Sequence, residues 1–235
     1  MVQSRLSLPS SVQERLSGWV RIQEGRIKAP VPPRRGPTIT LSRQFGCEGF
    51  PLSLRLQELL NARNHDEWHI FDKSLLERVA EDEGIPMRLL AHLGEAHRAL
   101  EGFGFHPAGP LTNDEAFAKV ADALVRIARL GHAIIVGRGG AVLCRDLENC
   151  FHFRLEADLP WRVAAMARRL GVGLEEAEKL VKVESRKRDR FIQDNLGTAP
   201  SERRHYDAVF NNERHTVEQI AEAIVAYVRS GWPGR

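Results

Sequence analysis

Ala133-Ile134-Ile135-Val136 is apolar at every position and ends abruptly in Gly137-Arg138-Gly139-Gly140. A strand with one wet face would alternate in polarity. An uninterrupted apolar run closed by glycines reads as a strand covered on both faces, the situation inside a parallel sheet. Parallel neighbours need crossover connections, usually helices, and the rest of the chain alternates accordingly. Pro37-Thr38-Ile39-Thr40-Leu41-Ser42 reads as a strand running into the loop Arg43 to Gly49, after which Leu52, Leu56, Leu59 and Leu60 have helical spacing up to Asn61. His69-Ile70-Phe71 reads as a second strand, with Asp72 at the N-cap of a helix over Lys73 to Glu81 and a further helix over Pro86 to Leu100. Asn113 opens a helix through Leu130, and a strand from Phe151 to Leu155 leads to a helix opening at Asp158-Leu159-Pro160. Leu174 to Asn195 reads as a long charged helix or helical pair and Ala208-Val209-Phe210 as a last strand. Thr216 and Gln219 form a capping box on a final helix to Arg229. The pattern predicts an α/β fold, a five-stranded parallel sheet flanked by helices, with ligands at the carboxyl ends of the strands.

Residues 1–37 read as an appendage: an amphipathic stretch from Val12 to Ile22, then a proline-rich run from Ala29 to Pro37 that cannot continue a helix. A docking helix and linker are expected there, ahead of one domain over residues 38–235. No run approaches the roughly 18 apolar residues of a membrane span, and the first residues lack the apolar core of a secretory leader. Three scattered cysteines, Cys47, Cys144 and Cys150, are too few for a disulfide framework or a four-ligand zinc site, so a reducing cytoplasm is expected. The 34 basic residues nearly balance the 31 acidic ones, which argues against a broad nucleic-acid face. The arginines nevertheless cluster, at Arg34-Arg35, Arg186 to Arg190 and Arg203-Arg204, and such clusters suit a polyanion.

Three stretches are placed to carry chemistry. The loop Ser42 to Gly49 joins a strand to a helix, where outward amide groups and the helix dipole favour phosphate and glycines let the backbone approach it. Gly46 is followed by Cys47, Glu48 and Gly49 rather than by G-K-[ST], so an ordinary tight turn is the competing reading. Arg138, held between glycines at a strand end, is suited to a phosphate or a base edge, or else the glycines serve close packing and the arginine is superficial. On the charged helix Arg186 and Arg190 are four apart and share a face with Lys182, while Arg188 lies off to the side. Like charges so arranged make either a phosphate clamp or a solvated face.

Four segments then resemble one family in order. Ile39-Thr40-Leu41-Ser42-Arg43-Gln44-Phe45-Gly46-Cys47-Glu48-Gly49 is similar to "ITISREFGSGG" of the cytidylate-kinase-like family, and His69 to Leu76 to its "YDKELL". Ala133 to Gly140 resembles "VIVGRG", and Tyr206 to Asn211 resembles "YDLVLN". The resemblance covers roughly residues 38–230. It implies a P-loop nucleoside monophosphate kinase fold with a helical monophosphate-binding insertion and a mobile, arginine-bearing helical lid. Carried across, Arg43 to Gly49 would wrap the ATP phosphates, making Gly46, Cys47, Glu48 and Gly49, with Ser53 and Arg188, nucleotide-binding candidates. Asp72 and Arg138 would face a CMP-like acceptor. Arg43, Arg186 and Arg190 would be the catalytic cations, and Mg²⁺ would bridge the β- and γ-phosphates. A protein partner or second copy would dock through residues 1–37. This chain lacks the phosphate-loop lysine of cytidylate kinase and has Gly139 where that enzyme has aspartate after the arginine. Two readings stay open: a kinase acting on CMP or a related nucleotide, and a catalytically weak or inactive nucleotide-binding module of the same fold.

Overall fold

The computed structural model describes residues 36–62, 67–72 and 113–232, with the backbone alone at 113–116 and 119. One sheet holds β1 (Thr38–Arg43), β2 (His69–Phe71), β3 (Ala133–Val136), β4 (Cys150–Glu156) and β5 (Ala208–Asn211). The strand order is β2-β3-β1-β4-β5 and every pairing is parallel. The helices are α1 (Gly49–Asn61), α2 (Asn113–Leu130), α3 (Gly140–Leu143), α4 (Leu159–Leu170), α5 (Leu174–Leu196) and α6 (Val217–Gly231). The fully apolar run is β3, buried at all four positions between two neighbours.

The charged stretch is one helix of 23 residues. The capping box at Thr216 forms as expected, with Thr216 Oγ1 accepting from Gln219 N and Gln219 Oε1 accepting from Thr216 N. The four-residue α3 and a 3₁₀ turn at Arg203–His205 are too short to leave a periodic signal. The helices expected over Lys73–Glu81 and Pro86–Leu100, the insertion they would form, and the appendage before residue 36 lie outside the described residues. No described helix is long and apolar enough to cross a membrane.

Strand alternation assigns the layers. Ile39 and Leu41 of β1 stand beside Phe151 and Phe153 of β4. That face packs on Leu52, Leu56 and Leu60 of α1 and on Ile220, Ile224 and Val228 of α6. Ala133 and Ile135 face the other way, against Leu124, Ile127 and Ala128 of α2 and Cys144 just after α3. The chain thus leaves β1 for one face and β3 for the other. Adjacent strands whose connections part in this way leave a crevice beyond their carboxyl ends. A third cluster joins α4 and α5 into a hairpin: Val163, Met166 and Ala167 pack on Ala177 and Val181.

Candidate functional site

Arg43 is the last residue of β1, and its side chain lies across that crevice. Its stem crosses Gly49, where an added Cβ would stand 3.1 Å from both Cγ and Cδ, and its guanidinium rests on Gly137, where a Cβ would fall on Nη1. Gly49 was expected to admit a phosphate to the backbone, and Gly137 to flank Arg138 or serve close packing. Both leave room for an arginine.

The β1–α1 loop is bolted down from three sides. Gln44 N donates to Leu155 O (3.1 Å) and Gln44 Oε1 accepts from Ala157 N (3.0 Å). Arg162 Nη1 donates to Phe45 O (3.0 Å). Glu48 N donates to Asn212 Oδ1 (2.7 Å), while Asn212 Nδ2 donates back to Glu48 Oε2 (3.2 Å). The Glu48 carboxylate, expected to line the nucleotide site, is therefore held beside the end of β5.

After β3, Gly137, Arg138 and Gly139 have φ of 82°, 54° and 72°, three left-handed residues in succession. For Arg138 that conformation costs about 1–2 kcal/mol. Strain of this kind persists where the surroundings impose it. Here they set the Arg138 guanidinium 5.0 Å from the Phe191 ring of α5, and Phe191 in turn meets Phe117 of α2 edge-on at 5.5 Å.

Helix α5 closes the crevice from above. Its inward stripe runs through Ala177, Val181, Ser185, Arg188, Ile192 and Leu196, a 3.6-residue period set by packing on α4. Arg188 lies on that stripe, with its guanidinium 4.7 Å from the Phe45 ring. Arg186 and Arg190, carried over as catalytic cations of the lid, are exposed on the opposite side, in keeping with the solvated-face reading, and Lys182 is exposed and paired with Glu178 at 2.7 Å. Of the lid arginines, Arg188, placed off to the side of the charged face, is the one that faces the loop. Ala177 and Val181, the only positions of α5 that the core buries, fix which face turns inward.

Three guanidinium groups from separate segments therefore share one environment. Burial, then the positive charges of Arg188 and Arg138, hold the Arg43 pKa down to about 9, against the opposing pull of Cys47 and Asp72. Burial likewise lowers Arg188, with Glu184 opposing. Asp72 stands at the rim, directly after β2. Mutually repelling cations at a sheet's carboxyl edge, partly shielded from water, are stabilised by a bound anion. Cys47 and Ser53 do not contribute side chains. The Cys47 thiol is in the core, its pKa pushed up by burial to about 11. Ser53 is fully buried one turn into α1, where its hydroxyl donates to Phe50 O (2.7 Å).

A second group of residues was not singled out from the sequence. The β1·β4 register sets Ser42 beside Arg154. Arg154, 5% exposed, donates from Nε to Glu156 Oε1 (2.7 Å) and reaches Ser42 Oγ at 3.4 Å, with its guanidinium 5.5 Å from the Tyr206 ring. Tyr206 OH donates to Pro200 O (2.7 Å) and lies 3.2 Å from Ser42 Oγ. Ser42 and Tyr206 line a narrow cleft with Gly137, Gly139 and Ile192. It is continuous with the arginine cluster through Gly137.

The donor set suits an anion. Among the described residues no three His, Cys, Asp or Glu side chains gather as a metal site, and the Ser53 hydroxyl is committed inward. A polyphosphate fits the three guanidinium groups, whereas the described side chains compose no Mg²⁺ ligand set of their own.

Comparison with known proteins agrees with the architecture. Twenty chains of solved structure match. One is the crystal structure of an uncharacterized protein from Eubacterium ventriosum ATCC 27560, 20% identical, with a TM-score of 0.65 over 83% of this chain and 98% of that one. At that identity the likeness concerns the fold alone. No curated protein matches. The family model described as the cytidylate kinase-like family matches residues 38–214. With its strand order, its β1–α1 loop and its arginine-bearing helix in place, the chain belongs to the cytidylate kinase-like family.

Proposed function

We propose that this protein binds ATP at the crevice between β1 and β3 and passes its γ-phosphate to CMP or a related nucleoside monophosphate. The observation that carries the reading is the convergence of Arg43, Arg138 and Arg188 from three separated segments onto one rim of the sheet. Phosphoryl transfer asks for positioning and for neutralisation of charge spread over phosphate oxygens, with little covalent work from the protein. Arg43, lying where the β1 loop meets the β3 loop, takes the part that a lysine plays in P-loop enzymes. Arg138 and Asp72 face the acceptor, and Arg188 meets the phosphates from the lid. Mg²⁺, which neutralises phosphate charge in such reactions, would arrive on the nucleotide. Residues 1–37 dock a partner or second copy beside the domain that follows.

A second reading, nucleotide binding without turnover, is favoured by one feature: Ser53, the first hydroxyl of α1, is turned into the core. A coupled assay with ATP-Mg²⁺ and a panel of nucleoside monophosphates, run beside thermal shift with ATP-Mg²⁺, separates the two. Turnover with CMP or a relative supports the kinase. A shift without turnover supports the binding module, and neither shift nor turnover removes both.

A further inference from the structure

Arg162, in the first turn of α4, bonds to three of the elements that surround the clustered arginines. Its Nε donates to Ala157 O (3.0 Å), at the end of β4. Its Nη1 donates to Phe45 O (3.0 Å) in the β1–α1 loop and reaches Ser185 Oγ of α5 at 3.4 Å. Its backbone is equally close: a Cβ on Gly46 would stand 2.7 Å from Arg162 Cβ and 3.1 Å from its carbonyl oxygen. Ser185 is one turn before Arg188, and Arg188 stacks on the ring of the same Phe45 whose carbonyl Arg162 holds. One planar guanidinium thus ties the loop, the sheet edge and the lid helix together, a fork that a lysine's single ammonium cannot reproduce.

We propose that Arg162 is a positioning residue that couples the β1–α1 loop to the α4–α5 lid, so that an anion in the loop and Arg188 engage together. This rests on the reading that the loop receives phosphates. If Arg162 merely supported the fold, replacing it would weaken the protein without changing how much Arg188 matters. Coupling makes a different demand: Arg188 should matter only while Arg162 holds Phe45 and Ser185 in place.

The test is a double-mutant cycle on the full chain, with inorganic tripolyphosphate and ATP as probes in calorimetric titration. Arg188→Gln should weaken binding about tenfold in the native background, the size of one charge-assisted contact, and less than about twofold in Arg162→Lys. Ser185→Ala, which removes only the lid leg, should shrink the Arg188→Gln effect in the same direction. A tenfold loss in every background overturns the coupling. Should the native chain bind neither probe, the phosphate reading fails while the coupling is still tested by hydrogen exchange. Arg162→Lys should then accelerate exchange along α5 beyond Val181 and leave β1 and α6 unchanged; unchanged exchange in α5 overturns the proposal.

Discussion

Gly46→Ala gives a sharp test of how the β1–α1 loop is built. Gly46 has φ of 102°, and a Cβ there would stand 2.7, 3.1 and 3.2 Å from Cβ, O and Cα of Arg162. These are backbone and near-backbone atoms of a helix, unable to swing aside like the tip of a side chain. The backbone strain of a non-glycine residue at such a φ is about 1–3 kcal/mol. Forcing a methyl against a packed helix adds about 1–3 kcal/mol more. Gly171→Ala is the matched control, because Gly171 has φ of 70° with nothing within 4 Å of its would-be Cβ. That variant carries the conformational penalty alone, about 1–2 kcal/mol. For a domain of this size about 1 kcal/mol moves Tm by roughly 2–4 °C, so the packing cost alone should put Gly46→Ala about 2–12 °C below Gly171→Ala. Thermal and urea unfolding followed by circular dichroism would read the difference. Equal melting of the two variants would refute the claim that α4 is packed hard against the loop.

Gly137→Ala should lower the melting temperature by no more than about 8 °C, the cost of a left-handed alanine. The same change should weaken tripolyphosphate binding at least about tenfold, because the new methyl occupies the place of the Arg43 guanidinium; titration checks both halves. Asn212→Ala removes both contacts to Glu48 and strands its amide, so urea unfolding should register a loss of about 1–3 kcal/mol. Acid sensitivity should trace in part to His152, which faces Thr40, Asp207 and the Cys144 carbonyl; burial first of all holds its pKa below the ordinary 6.5. The native ring then stays neutral where the unfolded one charges, so this stability is present above pH 6.5 and is lost as pH falls through the folded pKa, by up to about 1.4 kcal/mol per pH unit per proton. His205 has the same sign. His152→Asn should therefore flatten the acid limb of a stability–pH profile without abolishing it, and an unchanged limb would refute the assignment.

The sheet was legible because its signals are local. Each strand and each described helix of ten or more residues announces itself within its own residues: the apolar run of β3, Pro160 at the head of α4, the capping box at Thr216. The positions of Arg43 and Arg138 at strand ends followed from the same alternation. Residues that act across the sheet gave no such signal. Arg154 finds Ser42 only through the β1·β4 register, and Asn212 finds Glu48 across 164 residues of chain. Arg162 looked like any basic residue of a helix's first turn.

Sequence alone determined the class of fold and the rim at which Arg43 and Arg138 stand, since a two-residue or 3.6-residue period needs no partner to be read. The tertiary structure decided which arginine of α5 turns inward. On a helix charged nearly all round, several faces are tolerable in isolation, and only packing against α4 at Ala177 and Val181 selects one. It likewise decided that Gly49 and Gly137 make room for the Arg43 side chain. Space at a glycine is a property of what approaches it, and the approaching atoms belong to distant parts of the chain.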